Sequence, residues 1–269
     1  MEALGFFAYP LAVCVLLILI HTYFGIHILE RGIIFVDLSL AQFIGIGIAF
    51  SCLAGHGGIG EYLFPAVFAV LGAFILSISR RIANHTNIEA FIGVLYIFSL
   101  AASILILDRS PHGVEEFKNI LNGNIIWVSG SDVFHTALLY SAIGVFHYVF
   151  RKRFFLLSRE GRGGFLWEFL FFGSFAAVLV KSVQMGGILI VFSFLIVPAL
   201  IGKLFTPAIP KVLIGGWLLG LFCSILGLFT SLRWDLPAAS LIVVFLSFCY
   251  FVLLLGRWRS GRDKAGAES

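Results

Sequence analysis

Residues 165–205 read FLWEFLFFGSFAAVLVKSVQMGGILIVFSFLIVPALIGKLF, with Glu168, Lys181 and Lys203 as the only charges. A bilayer core is crossed by roughly 20 apolar residues, so this run is about twice too long for one span. It reads as two spans, Phe165–Val183 and Ile188–Phe205, or as a short helix followed by one broken at Gly186-Gly187 and kinked at Pro198. The choice sets the number of crossings.

Outward from this stretch, a window of about 19 residues finds seven more apolar runs. They are Ala8–Leu29, Ile33–Ala54, Leu63–Ser79, Ile88–Leu107, Val133–Phe150, Val212–Leu232 and Ala238–Gly256. The expectation is an all-α polytopic transmembrane bundle of nine spans, or eight with a half-span. The runs must be helices, because in lipid each must satisfy its own backbone hydrogen bonds, and the alternation of a barrel strand is absent. Composition agrees: 60% of the 269 residues are hydrophobic, 12% are charged, and mean hydropathy is +1.06. A soluble domain carries about 25% charged residues, so a secreted disulfide scaffold, a nucleic-acid-binding domain and most soluble enzymes are excluded. Cys14, Cys52, Cys223 and Cys249 stand singly in apolar runs and read as buried small side chains. Glu2 is the only charge before His21, so the first run lacks a signal peptide's cationic start and stays as a span.

The chain carries a net charge of +4, and its basic residues report orientation. With the N-terminus outside, Arg31, Arg80, Arg81, Arg151, Lys152, Arg153, Arg159, Arg162, Lys203, Lys211, Arg257, Arg259, Arg262 and Lys264 fall on the cytoplasmic side. Arg109, Lys118, Lys181 and Arg233 remain outside or near the outer ends. Fourteen against four is the positive-inside bias, and it places the C-terminus in the cytoplasm. Residues 1–256 then form the transmembrane domain and 257–269 a short polar tail that reads as a frayed end.

Ionisable residues inside spans cost a few kcal/mol unless paired or wet. His21 and His27 lie on the first span, Asp37, Ser39 and Gln42 on the second, Glu89 and Tyr96 on the fourth. If Glu30-Arg31-Gly32 closes a tight antiparallel hairpin, equal rise from that turn sets His21 opposite Gln42 and His27 near Asp37. Matched depths would make matched ligands. The structural alternatives are a His21 bonded to a neighbouring carbonyl and an Asp37 that caps the second helix. Twenty-nine glycines, among them Gly45, Gly47, Gly216 and Gly220, read as close-packing positions between helices.

Glu30-Arg-Gly-Ile-Ile-Phe-Val-Asp-Leu-Ser-Leu-Ala-Gln42, followed by Gly45-Ile-Gly-Ile-Ala-Phe50, resembles a segment in the permease subunits of bacterial zinc/manganese ABC importers. There a basic pair leads through Phe and Asp to Leu-Ser-His-Ala and a Gly-rich helix. Other blocks resemble the family in the same order: Glu89-Ala-Phe-Ile-Gly-Val-Leu-Tyr96, Ile120-Leu-Asn-Gly-Asn124, Gly187-Ile-Leu-Ile-Val-Phe-Ser-Phe-Leu-Ile-Val-Pro-Ala199 and Asp235-Leu-Pro-Ala-Ala-Ser240. The likeness runs from His21 to Gly256. It departs where zinc permeases place His four residues after the Asp: this chain has Ala41 and then Gln42. Oxygen ligands in place of imidazole leave zinc, manganese and iron all open as cargo.

The resemblance implies a permease subunit, itself not an enzyme, in the bacterial inner membrane among membrane lipids. Two copies would form a homodimer, driven by a pair of cytoplasmic ATP-binding cassette ATPases and supplied by an extracytoplasmic metal-binding protein. No Walker-type Gly-x-x-x-x-Gly-Lys-Ser/Thr is present in the chain. It implies no permanently bound cofactor and no nucleic acid. His21, Asp37, Gln42 and Glu89 would form a sparse transient path for the ion, and Ser158, Arg159, Glu160 and Gly161 would meet the ATPase. An ion-coupled secondary carrier is the alternative, for which inverted repeats are expected and not seen. An intramembrane enzyme would need a clustered constellation; His21 and His27 are six apart and lack the H-E-x-x-H glutamate.

Overall fold

The computed structural model describes residues 2–55, 59–82, 87–161 and 163–267. Regular structure among them is entirely helical: α1 Glu2–Arg31, α2 Val36–Leu53, α3 Gly60–Ile82, α4 Ile88–Leu107, α5 Gly113–Asn122, α6 Gly130–Val149, α7 Arg151–Glu160, α8 Gly164–Phe205, α9 Ile209–Trp234 and α10 Ala238–Ala267. A 3₁₀ turn, Ile125–Trp127, links α5 to α6. Among the described residues, seven helices are long and apolar enough to cross a membrane, and eight if α6 and α7, bent by 75°, count as one span. The chain is a multi-pass membrane protein. Helix α10 runs on through the basic tail to Ala267.

At 1.5 Å per residue, the 42 residues of α8 would make a straight rod of about 63 Å, twice the hydrocarbon thickness. They do not form one, because Gly187 takes φ 74° and ψ 166° and turns the chain back. The contacts with α1 give the directions. Along residues 164–186 Glu168 pairs with Arg31, Phe175 packs on Phe24, and Gly186 faces Leu17. Along 188–205 Leu195 lies on Gly25 and Lys203 reaches Glu30. The first arm therefore runs antiparallel to α1 and the second parallel to it, and together they form a hairpin. Its tip is closed by Gly123: a Cβ on Gly123 or on Gly187 would strike the other's backbone, and Asn124 N–H donates to the Met185 carbonyl at 3.0 Å. Counting both arms and α6, the described chain passes nine times between the two ends of the bundle.

The tight α1–α2 hairpin expected from the sequence does not form. Gly32, at φ 66°, turns the chain, but α1 then packs on α8 and α9, while α2 packs on α3 and α4. Packing decides this, since Gly25 lets the Leu195 backbone approach α1 more closely than an Ile- or Leu-rich face could. Gly47 does the same for α2 against Phe64-Pro65 of α3. The two elements adjacent in sequence thus settle on opposite partners, and both touch α8.

Charge is segregated by the topology. Arg31, Arg151, Lys152, Arg153, Arg159, Lys203, Lys211, Arg257 and Arg259 belong to the end where α1, α6 and α10 finish and α8 and α9 begin. Arg109, Lys118, Lys181 and Arg233 belong towards the other. At the basic end Arg31 Nη1 donates to Glu168 Oε2 at 2.9 Å, with both side chains almost fully enclosed and the guanidinium 4.4 Å from the centre of the Phe171 ring. A buried pair of this kind costs desolvation that only close, hydrogen-bonded geometry offsets.

Candidate functional site

Helix α2 is the most enclosed of the single spans and also the most polar on its buried face. Asp37, Ser39, Gln42 and Ser51 are all buried along it. Asp37 lies in the first turn, 1% exposed, yet its side chain makes no capping bond, and neither carboxylate oxygen is hydrogen-bonded among the described residues. The cap expected as its structural role is therefore not made. Ser39 Oγ is likewise unpartnered. A buried carboxylate without a partner is costly.

Glu89 reaches this end of α2 from α4: its Oε1 accepts the Phe35 N–H at 3.3 Å, and its Oε2 is enclosed with no partner. Asn87 holds α4 in place by accepting the Ala90 N–H at 3.1 Å. Two turns further along α2, Gln42 Oε1 and Ser103 Oγ both border the space above Gly45. Gln42 and Glu89 thus lie where α2 meets α4, and Asp37 is two residues along from the Phe35 N–H that Glu89 binds. His21 does not join them. Its ring is buried on α1, where Nδ1–H donates to the Leu17 carbonyl at 2.8 Å and Nε2 has no partner. The matched depth of His21 and Gln42 carried no contact, because α1 and α2 do not pack together.

His27 also turns away from Asp37. Its Nδ1 lies 2.8 Å from Ser158 Oγ, which fixes α7 to α1. Next to it His147 stacks on Phe154 at 4.1 Å, accepts from or donates to Tyr23 Oη at 3.1 Å, and contacts Ser174 Oγ at 2.7 Å. Helix α7 accordingly shows two faces: Phe154, Leu157 and Ser158 are buried, whereas Arg151, Lys152, Arg153, Arg159 and Glu160 are exposed. Of the four residues expected to meet an ATPase, Ser158 points into the bundle. Arg159, Glu160 and Gly161 are at the surface, where Gly161 closes α7 in the left-handed conformation.

At the opposite end, a cavity of about 410 Å³ opens where α2 ends and α3 begins, roofed by α5 and the start of α6. Glu61, Glu116, Asn119, Asp132, Lys181 and Gln184 are among its lining residues, and Ser51 and Cys52 bring it to the end of α2. Lys181 Nζ lies 3.4 Å from Asp132 Oδ1, and the other oxygen, Oδ2, accepts from Ser129 in a capping box. Single-sequence reading missed this vestibule. Its only signal was the polar density of Glu115-Glu116 and Asn119, Asn122 and Asn124, which belong to no span. Among the described residues, no group of three or more His, Cys, Asp or Glu side chains is arranged to hold a metal ion.

Residues 6–257 match the ABC 3 transport family. The Manganese transport system membrane protein MntC of Listeria monocytogenes is 26% identical over 240 residues, covering 86% of this chain and 83% of that protein. The "Probable iron transport system membrane protein" of Haemophilus influenzae is 25% identical over 241 residues, covering 83% and 85%. Among solved structures, PsaBC from Streptococcus pneumoniae in complex with Fab has a chain that superposes with a TM-score of 0.75 at 22% identity, covering 92% of this chain and 90% of that one.

Proposed function

This chain belongs to the ABC 3 transport family, and from that premise we propose that it is the membrane permease of an ATP-driven importer for a divalent metal ion. The observation that carries the reading is Asp37, a buried carboxylate with both oxygens unpartnered, on a helix whose other end lines an open vestibule. The names of the manganese and iron relatives support a metal as cargo. In this proposal the ion enters from the vestibule, passes Gln42 and Ser103, and reaches Asp37 and Glu89 before release. Hard oxygen donors favour manganese or iron(II) over the nitrogen- and sulfur-seeking zinc, and Gln42 with Asp37 supplies oxygen only. His21 stands outside this path.

The basic end faces the cytoplasm by the positive-inside rule, with the N-terminus outside and the C-terminus inside, in a bacterial inner membrane. A pair of ATPases docks there on the exposed face of α7 through Arg159 and Glu160, an extracytoplasmic metal-binding protein delivers ions at the vestibule, and two permease copies complete the transporter. Hydrolysis belongs to the ATPases. The test is uptake by the reconstituted importer, with manganese, iron(II) and zinc supplied separately. Manganese or iron uptake that needs ATP and falls on Asp37→Asn supports the reading. ATP-independent uptake driven by an ion gradient points to a carrier instead.

A further inference from the structure

A groove of about 430 Å³ runs along the outside of the bundle between α6 and α9, with α1 as its floor and α7 at its mouth. Its volume is within the usual range of small-ligand sites. The walls are largely apolar, with Leu16, Ile20, Leu213 and Trp217 among them. Two of the hydroxyls on them are already bonded within the bundle: Tyr23 Oη lies 3.1 Å from His147 Nδ1, and Tyr140 Oη 2.6 Å from Ser182 Oγ.

The mouth is different in character. There the chain bends by 75° from α6 into α7, and Arg151 is the first residue past the bend. Its Nη1 donates to the Tyr148 carbonyl at 3.1 Å and its guanidinium sits 4.5 Å from the centre of the Tyr148 ring, so the group is held in place. Among the described residues it forms no ion pair, which leaves its remaining N–H donors for an outside acceptor. Lys152 and Arg153 follow it, both exposed. An apolar slot that ends on a fixed, unneutralised guanidinium at the edge of the membrane span has the charge and polarity pattern of a phospholipid, tail in the slot and phosphate at the arginine.

We propose that this groove binds an anionic membrane phospholipid, with an acyl chain between α6 and α9 and its phosphate on Arg151. Gly144 supplies the means to test it, since it lines the groove and a Cβ built there meets no atom within 4 Å. A larger side chain on this helical glycine fills the slot without disturbing the packing. The full chain is purified in mild detergent and titrated with phosphatidylglycerol and with phosphatidylcholine, and bound lipid is counted by native mass spectrometry. The expected result is preference for phosphatidylglycerol by about tenfold, loss of that preference in Arg151→Gln, and loss of bound lipid in Gly144→Phe, with Gly144→Leu as the smaller filler should the first variant fail to fold. Equal retention of both lipids by the unaltered chain overturns the proposal, as does a groove-filled variant that still carries phosphatidylglycerol. So does efficient cross-linking of two Gly144→Cys copies in membranes, which would assign the groove to a second copy of the chain. None of these readouts depends on which ion is transported.

Discussion

At position 37 a carboxylate is enclosed without a hydrogen bond, and at position 21 an imidazole is enclosed with one. The contrast yields opposite expectations for two residues that the sequence treats alike. Asp37→Asn keeps the shape and removes the charge, so uptake falls by about tenfold or more while membrane level and ATPase assembly persist, as read by metal uptake in proteoliposomes beside a co-purification assay. His21→Ala in the same assay leaves uptake within about twofold and lowers thermal stability, since a buried group and its hydrogen bond are lost. Gln42→His adds the borderline nitrogen donor absent from the proposed path and shifts the preferred ion towards zinc, measured by competition between zinc and manganese. Unchanged uptake in Asp37→Asn would remove this residue from the path.

At the scale of elements, α7 and α8 each have a sequence feature whose meaning depends on a neighbour. Helix α7 carries Ser158 inward to His27 and Arg159 with Glu160 outward, so two substitutions two residues apart test anchoring and the proposed docking separately. Glu160→Arg weakens co-purification with the ATPase while the permease itself stays folded. Ser158→Ala preserves that association and costs about 1 kcal/mol of stability, the size of one buried hydrogen bond. If Ser158→Ala alone abolishes association, α7 docks by the face that this structure buries. In α8 the return arm depends on Gly25 of α1, where a side chain would strike the Leu195 backbone. Gly25→Leu should cost about 1–3 kcal/mol by overpacking, seen as earlier thermal inactivation in detergent. Gly93→Leu on α4, where a Cβ meets nothing within 4 Å, is the matched control and should be near neutral.

For the whole molecule, the nine passes of the described residues put the start of α1 and the end of α10 at opposite ends of the bundle. A C-terminal reporter and a thiol label at Ser131→Cys should therefore report opposite sides of the membrane, cytoplasmic and external. The two sites are separated by α6, both arms of α8, α9 and α10, an odd number of passes. Finding both on one side would show that the number of crossings between them is even, so that one of these passes does not span the bilayer, and would remove the basis for the ion's direction of travel. The broad segregation of basic residues to one end is a consequence of the same topology, since each pass that reverses the chain returns the next positive loop to the end where Arg31 lies.

What the sequence determined by itself follows from short-range physics. Apolar runs of about 20 residues must be helices in lipid, so the helical bundle was legible from hydropathy, while residues 165–205 stayed open between two spans and a short helix followed by a broken one. The resemblance carried by Glu30–Gln42 and the later blocks pointed to the same family that residues 6–257 match. Which helices touch was decided only in the tertiary structure. Hydropathy gives depth but no direction around a helix axis, so His21 and Gln42 could be set at one level yet end up on helices that do not pack together. The partners are chosen by small-residue contacts such as Gly25 with Leu195 and Gly47 with Phe64-Pro65. The inward turn of Ser158, the bond from Phe35 to Glu89, and the vestibule of Glu61, Glu116 and Asp132 have the same origin: each assembles residues from distant parts of the chain, and no local pattern encodes their meeting.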